Sequence, residues 1–328
     1  MLTGLLVAVL GGFAWLVLSQ PREPVYQGKS LSVWLQNYVR PPKFVGELPG
    51  LRETDEAVRQ MGTNAIPTLS RMLRARDASW KVWLMTLAKK QRVIRIHFVP
   101  ATERHILALQ ALNELDHDAA KAGVPALIEL YDTSPDNAFR LAVVSALGRI
   151  GSSERMISSP PALRLDPFNA TNNDPDPLLT KALVPPLLRG ATNASSAELR
   201  AQSLYVLTHI HAEPSVVLPV LVNALNDSSS TVRREALFRL VAMPAEPKLA
   251  GLVVPALTRS LADSSVPTEF TAMALAKYGL EAKPAVPALI KFIQDHPNDS
   301  PSFDNPTRIV VSSLKQIDPE AAAKAGVK

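Results

Sequence analysis

The chain has no cysteine, few aromatic residues and few glycines. Its 328 residues include 14 Gly and only 5% Phe, Trp and Tyr, whereas 47% are hydrophobic. The missing cysteine excludes disulfides, thiolate metal sites and cysteine nucleophiles together. The scarcity of aromatic residues disfavours a β-rich fold, because sheets use aromatic and β-branched side chains heavily. Ala, Leu and Val therefore supply most of the hydrophobic content, and the composition favours an all-α repeat protein.

Recognised catalytic motifs are also missing from the sequence. It contains no glycine-rich phosphate loop, no nucleophile elbow and no metalloprotease motif. His209 and His211 are two residues apart, which points their side chains to different sides of a helix and makes a poor metal pair. The Asp-His-Asp group at 116–118 falls between helices, where a local hydrogen-bonding role is expected. We therefore predict no catalytic residue, no metal site and no cofactor.

Charged side chains are absent from the first 21 residues. Leu2 to Leu18 form a mostly apolar run, which as a helix spans about 25 Å, the low end of what a bilayer core requires. A cleaved signal peptide would have a basic leader, a shorter apolar core and a small-x-small cleavage site. We predict that residues 1–20 are an uncleaved single-pass membrane anchor, with a signal segment as the alternative.

A short region separates this segment from the rest of the chain. Residues 21–49 contain several prolines, and Ser30 is placed to cap a helix whose apolar residues fall at helical spacing. These apolar residues are Leu31, Trp34, Leu35 and Tyr38. We predict a linker followed by a capping helix that covers the first apolar face of a helical array.

An internal repeat is the main signal in the remaining residues, 50–328. The pattern apolar-Pro-x-Leu occurs six times, with its prolines at Pro67, Pro125, Pro185, Pro219, Pro255 and Pro287. We call these the motif prolines. Proline fits the first turn of a helix, where its missing N–H has no intrahelical partner. Each copy is therefore predicted to open the second helix of a helical pair.

Other helical patterns precede most of these motifs and predict the first helix of each pair. They lie at 140–150, 200–210, 233–241 and 269–278, and a further one at 308–317 ends the array. Asp227 and Asp263 begin serine-rich connections between pairs, and the serines are predicted to cap the following helices. Residues 317–327 repeat the composition of residues 115–124, which predicts a terminal half-repeat.

The chain resembles HEAT-repeat proteins over residues 50–328. Residues 57–67, Ala-Val-Arg-Gln-Met-Gly-Thr-Asn-Ala-Ile-Pro, look like the junction between the first and second helices of that class. Residues 23–29 before Trp34 look like the membrane-proximal start of bacterial HEAT-like families. The resemblance implies a right-handed α-solenoid of helical hairpins, outside the cytoplasm. The basic residues that follow the apolar segment favour the opposite, cytoplasmic side.

Two insertions interrupt the predicted array, at about 77–100 and 152–177. The second is rich in proline and predicts an irregular loop. The first belongs to a basic segment, residues 71–98, which carries eight Lys or Arg residues and one acid, Asp77, so that its net charge of +7 exceeds the +5 of the whole chain. The predicted partner-binding residues in and beside it are Arg71, Arg74, Arg76, Trp80, Lys81, Trp83, Lys89, Lys90, Arg92 and Arg95.

Two interpretations of the basic segment stay open. Its tryptophans and leucines can pack on the helical array while the basic residues face solvent. Alternatively, the segment binds an anionic partner, such as lipid head groups or an acidic protein. Nucleic acid ranks last, because no recognised nucleic-acid motif accompanies the charge.

The sequence therefore predicts a membrane-tethered, non-enzymatic scaffold that binds another protein, whose identity the sequence does not reveal. The extended surface of a helical repeat array suits this role. The alternative is an enzyme or accessory factor on a HEAT-like frame, as in alkylpurine glycosylases and bilin lyases.

Overall fold

The described part of the chain is built from α-helices, as the composition predicts, together with one short β-hairpin. A computed structural model describes residues 23–38, 49–77, 99–151, 176–296 and 305–325. The chain divides into two compact units, residues 1–130 and 131–328.

Among its described residues, the first unit contains the hairpin strands β1 (Val25–Tyr26) and β2 (Lys29–Ser30) and five helices. The helices are α1 (Leu31–Leu35), α2 (Pro49–Met61), α3 (Ile66–Leu73), α4 (Ala101–Glu114) and α5 (His117–Lys121), and α6 (Val124–Thr133) contains the boundary between the units. Helix α1 packs against α2, and both α2 and α3 pack against α4.

The second unit continues the alternation of helices to residue 325. Its helices are α7 (Asn137–Gly151), α8 (Pro177–Asn193), α9 (Ala197–His209), α10 (Pro214–Ala224), α11 (Ser230–Ala242), α12 (Ala250–Ser260), α13 (Thr268–Ala276), α14 (Val286–Asp295), α15 (Pro306–Ile317) and α16 (Pro319–Lys324). Helices α7, α9, α11, α13 and α15 correspond to the five first-helix patterns in the sequence. Short 3₁₀ segments lie at Pro247–Leu249 and Gly279–Ala285 in this unit, and at Gln36–Tyr38 and Gly62–Ala65 in the first.

Helices of the second unit pack in two layers. The first helices α7, α9, α11, α13 and α15 contact one another in chain order. The second helices α8, α10 and α12 also lie side by side, and α12 packs against the 3₁₀ segment that leads into α14. Each layer is therefore continuous across neighbouring pairs within this unit.

The apolar-Pro-x-Leu motif divides its residues between core and surface. The six leucines are fully buried, whereas the six motif prolines are all exposed. The leucines are Leu69, Leu127, Leu187, Leu221, Leu257 and Leu289. This division follows from helical geometry, because two residues along a helix turn the side chain to a different side.

The prediction that every motif proline opens a helix is wrong for three of the six. Pro67, Pro125 and Pro287 lie at the second position of their helices, but Pro185, Pro219 and Pro255 lie inside α8, α10 and α12. Helices α8 and α10 instead begin at earlier prolines, Pro177 and Pro214. The Asp176 carboxylate caps α8 by accepting hydrogen bonds from the amides of the next two residues after Pro177. The pairs Asp176-Pro177 and Glu213-Pro214 therefore mark the starts of these two helices, with proline at the first helical position.

Serine caps were also predicted wrongly at the connections between pairs. Ser229 occupies the position before α11, but its side chain makes no capping hydrogen bond. The aspartates act instead, since Asp227 and Asp263 accept hydrogen bonds from the amides of Ser229 and Ser265 at 2.8 and 2.9 Å. Serine does cap α9, where the Ser196 hydroxyl accepts from the amide of Leu199.

Residues 25–30 form a hairpin where a linker was predicted. Gln27 and Gly28 both have positive φ, 48° and 74°, as required for the tight turns whose twist suits a two-residue hairpin. The Trp34 indole N–H donates to the Tyr26 carbonyl at 3.0 Å, and the Lys29 ammonium lies 4.4 Å from the Trp34 ring centre. The tryptophan of the predicted capping helix therefore fixes this hairpin.

The cap of α1 also differs from the prediction. Ser30 precedes the helix but makes no side-chain cap. The Glu23 carboxylate accepts the hydrogen bond from the Ser32 amide instead, at 3.2 Å. A carboxylate at this position also interacts favourably with the positive end of a helix.

Glycines allow close packing around α9. A Cβ atom at Gly148 of α7 would lie 2.7 Å from the Val206 side chain, and one at Gly190 of α8 would lie 2.3 Å from the Ser203 hydroxyl. These distances are shorter than carbon atoms tolerate, so α7 and α8 approach α9 only because these positions lack side chains.

None of the helices in the described ranges is both long and apolar enough to cross a bilayer. The predicted anchor, residues 2–18, lies outside those ranges, as does most of the insertions at 77–100 and 152–177.

We expect Leu221→Ala and Leu257→Ala each to lower the free energy of unfolding by about 2 to 5 kcal/mol, because both side chains are fully buried and their loss leaves a cavity. Chemical denaturation followed by circular dichroism measures this loss. Val216→Ala is the matched control, since Val216 lies on the exposed side of the same helix as Leu221. Losses below about 0.5 kcal/mol for the leucine variants would mean that the motif does not face the core.

Candidate functional site

The structure describes three of the ten predicted partner-binding residues. The Arg74 guanidinium donates to the Glu129 carboxylate at 2.7 Å, Arg71 lies 3.6 Å from the Glu23 carboxylate, and Arg76 is exposed. The other seven, Trp80, Lys81, Trp83, Lys89, Lys90, Arg92 and Arg95, lie outside the described residues. Two of the three described arginines thus already face carboxylates of this chain, which reduces the positive charge that they offer a partner.

Asp77, the acid of the basic segment, has a structural role. Its carboxylate accepts hydrogen bonds from the Ala101 amide at 2.8 Å and from the Arg104 guanidinium at 3.1 Å, and so caps α4 from the far side of the insertion. The His105 ring nitrogen lies 2.9 Å from the Ala75 carbonyl, and burial lowers the pKa of this histidine. The two ends of the insertion near residues 77 and 101 are therefore held together.

Arginines occupy the fourth position of four first helices, at Arg104, Arg140, Arg200 and Arg233. In the second unit two of them form what we call the arginine ladder, with Asp227 and Asp263. Arg200 binds both oxygens of Asp227, at 2.8 and 2.7 Å. Arg233 binds Asp263 at 2.7 Å.

Each ladder arginine also holds the loop before its own helix. Arg200 donates to the Ala194 and Ser195 carbonyls, at 2.8 and 3.2 Å. Arg233 donates to the carbonyls of Asp227 and Ser228, at 2.7 and 3.1 Å. The loop at 227–228 therefore contacts both arginines, and three successive connections are joined through two side chains.

The ladder perturbs the acidity of its members. The guanidinium of Arg200 lowers the pKa of Asp227 below its ordinary value, and the carboxylate raises the pKa of Arg200. Hydrogen bonds from Ser265 are the main reason that the pKa of Asp263 is also lowered. Both carboxylates are therefore held in the charged form at neutral pH.

A cation from the next pair terminates α11. The Lys277 ammonium donates to the carbonyls of Leu240, Val241 and Met243, and burial lowers the pKa of this lysine. Positive charge at the carbonyl end of a helix satisfies acceptors that lack an intrahelical partner.

A buried ion pair lies on α11. Glu235 Oε1 and Arg239 Nε are 2.9 Å apart, and both side chains are largely covered. The N–H and the oxygen are not aligned as a hydrogen bond, so the attraction is electrostatic. Burial raises the pKa of Glu235 more than Arg239 lowers it. The Arg239 guanidinium also lies 5.0 Å from the Tyr205 ring centre, which places this pair in the packing between α9 and α11.

The histidines and the Asp-His-Asp group do not assemble a metal site among residues 23–38, 49–77, 99–151, 176–296 and 305–325. His209 stacks on Tyr205 with ring centres 3.8 Å apart, and its Nδ1 lies 2.7 Å from the Tyr205 carbonyl. Asp116 caps α5 by accepting from the Ala119 amide at 2.7 Å. The expected local role of the Asp-His-Asp group is confirmed for Asp116.

Exposed apolar residues in the second unit lie mainly on the second helices. Four large ones form what we call the apolar strip: Leu178, Val216, Leu252 and Leu280. Leu178, Val216 and Leu252 precede the motif proline of their own helix by seven or three residues, which is the spacing of one helical face, so they lie on the same side of their helices as the exposed motif prolines. Leu280 lies in the 3₁₀ segment that leads into α14.

Positive charge accompanies this face. Four residues after a motif proline come Arg189, Arg259 and Lys291, which we call the cation row, and all three are exposed. Arg189 also pairs with Asp132 at 2.6 Å. Lys181 adds a further exposed cation on α8.

Sequence reasoning missed the apolar strip and the cation row, although the signal was present. Counting backwards from the motif prolines of the second unit finds the apolar strip, and counting four residues forwards finds the cation row at three of the four, with Asn223 after Pro219. The motif leucines mark core positions, whereas the strip and the row lie at exposed positions of the same period.

We expect Asp227→Asn to lower the free energy of unfolding at neutral pH by about 1.5 to 3 kcal/mol, because a charged hydrogen-bonded pair that is only 12% and 14% exposed loses one partner. The Asp227 pKa is lower in the folded chain, so its stabilisation is complete above the unfolded pKa. The difference between variant and parent should shrink as pH falls through the folded pKa. Urea unfolding across a pH series measures it.

Asp132→Asn is the matched control for this prediction. Its pair with Arg189 is about half exposed on both sides, so the loss should be under about 1 kcal/mol. Equal effects of the two substitutions would contradict a special role for the ladder.

Comparisons with known proteins do not identify a family. No family model matches the chain, and no curated protein matches it. Among solved structures, the chain is similar to an engineered protein from a structural genomics consortium, with 19% sequence identity and a TM-score of 0.46, over 79% of this chain and 96% of that one.

Proposed function

We propose that this chain is a non-enzymatic, membrane-tethered scaffold that binds another protein through HEAT-like helical repeats. The proposal rests on a helix pair that recurs along the chain with the same positions buried and the same positions exposed. Six times the motif leucine is buried and the motif proline is exposed. A chain that repeats the same outward-facing surface offers a partner an extended contact area rather than a single pocket.

The second helices of the second unit are the best candidates for this contact. Their exposed side carries apolar residues and cations, whereas the first helices carry the arginine ladder, whose side chains are engaged with one another and with loop carbonyls. Exposed apolar residues that lie on neighbouring elements and are flanked by polar groups mark protein interaction surfaces when they form one patch.

Membrane attachment rests on the apolar run at residues 2–18. The described structure starts at Glu23, so about four residues separate it from the end of that run. A chain of this length reaches at most about 15 Å, which would keep the hairpin and α1 near the bilayer surface. Two arguments give opposite sides of the membrane for the helical repeats. The HEAT resemblance places them outside the cytoplasm, whereas the basic residues that follow the apolar run place them in the cytoplasm.

We expect the full-length chain to stay in the membrane fraction after a high-salt wash, because salt removes only electrostatic binding. Deleting residues 1–20 should release it. Fractionation and immunoblotting measure both. Recovery of a mature form that begins near residue 20 would establish a cleaved signal instead, and protease access in intact and lysed cells determines the side.

The scaffold function predicts that photo-crosslinking residues placed on the second helices form discrete protein adducts in the native host. Suitable sites are Val216, Leu252 and, as a control on a first helix, Met273. Full-length protein is recovered from membranes and the adducts are identified by mass spectrometry. Absence of protein adducts from every site on both layers would contradict the scaffold function, and clear turnover in base-excision or bilin-transfer assays would favour the enzymatic alternative.

A further inference from the structure

The apolar strip has a regular geometry. Its residues lie on α8, α10, α12 and the 3₁₀ segment before α14, which pack side by side in that order. Neighbouring packed helices lie about 8 to 10 Å apart. The strip therefore presents one large apolar residue on each of four neighbouring elements.

The strip is shallow rather than protruding at its centre. Val216 and Leu252 are 37% and 40% exposed, whereas Leu178 and Leu280 at the two ends are 80% and 67% exposed. Residues so covered cannot insert deeply into a bilayer, which interfacial helices enter by about 5 to 10 Å. The centre instead suits contact with side chains of another protein.

Backbone chemistry favours a helix as the bound element. The strip consists of side chains on helices, and the exposed motif prolines Pro185, Pro219 and Pro255 lie beside it without N–H groups. An extended segment buried here would meet at most the isolated carbonyls that the internal prolines leave without a donor, so most of its own backbone groups would lack a partner, which is costly. A helix satisfies its backbone internally, and residues seven apart along it lie about 10.5 Å apart, comparable with the separation of neighbouring packed helices.

The charge of the surface sets the charge of the partner. Arg259 and Lys291 lie one turn beyond the motif prolines, as does Arg189, which already pairs with Asp132 of α6, and α10 contributes no charged residue. The two exposed acids on the same elements are Glu281 and Asp295. An acidic flank on the bound helix would face the cation row, which favours encounter and fixes orientation.

From these observations we infer that the apolar strip and the cation row dock an amphipathic helix of a partner protein, with apolar residues at seven-residue spacing and an acidic flank. This inference rests on the proposed scaffold function and adds the chemistry of the partner. The helix would lie across the second helices, with its apolar side on the strip.

A displayed peptide library tests this docking site. The library consists of helix-forming peptides of four heptads with apolar residues fixed at heptad positions and flanks varied among Glu, Lys, Gln and Ala. The target is the full-length chain in nanodiscs of neutral lipid. We expect selection to enrich Glu-rich flanks, and enriched peptides to bind the double variant Val216→Ser/Leu252→Ser at least ten-fold more weakly in fluorescence anisotropy.

Matched variants separate docking from general effects. Met273→Ser removes a similarly exposed apolar residue from a first helix, and binding should be unchanged. Arg259→Gln/Lys291→Gln should weaken binding of the acidic peptides and reduce its salt dependence. Thermal unfolding of each variant shows that it is folded, and exposed substitutions of this kind leave stability nearly unchanged.

Several results would overturn the inference. Enrichment of basic or neutral flanks, absence of any enriched peptide, or equal binding by the double variant would each do so. Binding of the chain to anionic vesicles that the double variant loses would assign the strip to lipid instead. Protein adducts in cells at Met273 but not at Val216 or Leu252 would support the scaffold function and contradict this docking surface. Peptide binding in vitro without any protein adducts in cells would support the docking surface and contradict the scaffold function.

Discussion

The pairing of arginine with aspartate across successive connections is the interaction on which the second unit depends. Apolar burial brings helices together without fixing their register, because it has no direction. The arginine ladder fixes the register, since each guanidinium binds both the carbonyls of the loop before its own helix and the aspartate in the next connection between pairs. Arginine suits this position because its planar group offers several donors at fixed angles.

Close packing around α9 complements the ladder. Gly148 and Gly190 bring α7 and α8 against this helix, where any side chain would clash. Arg200 near the start of α9 binds the loop before this helix and the Asp227 carboxylate in the connection after α10. The same helix is therefore constrained by shape along its length and by hydrogen bonds at its beginning.

Much of the fold could be predicted from the sequence because helical periodicity is local. The buried motif leucines and the five first-helix patterns needed only the spacing of apolar residues. Helix starts are not specified by the motif alone, because a proline such as Pro219 is compatible with a first turn, and only the competing signal at Pro214 shows that the helix begins earlier. The hairpin at 25–30 was missed because two-residue strands carry too few residues to show alternation.

The candidate surface was harder to predict, for a different reason. The roles of Asp227 and Asp263 depend on arginines in other positions of the chain, 27 and 30 residues away, and no local pattern contains both partners. The serines beside these aspartates have the sequence pattern of helix caps, so the sequence predicts that they cap the following helices. The apolar strip differs, because its spacing is visible in the sequence. Only the burial of each residue in the structure shows that these apolar positions face solvent and do not belong to the core.

Lys277 has a consequence for how such a chain can be altered. Helix α11 has no glycine at its carbonyl end and is finished by an ammonium group that belongs to the following pair. The pair that contains α11 is in this sense incomplete alone, and if moved to another place in the chain it would need a following pair with a cation in the position of Lys277. Shuffling, deleting or duplicating this pair therefore requires a matched junction, so the piece to exchange is α11 together with the part of the next pair that ends it.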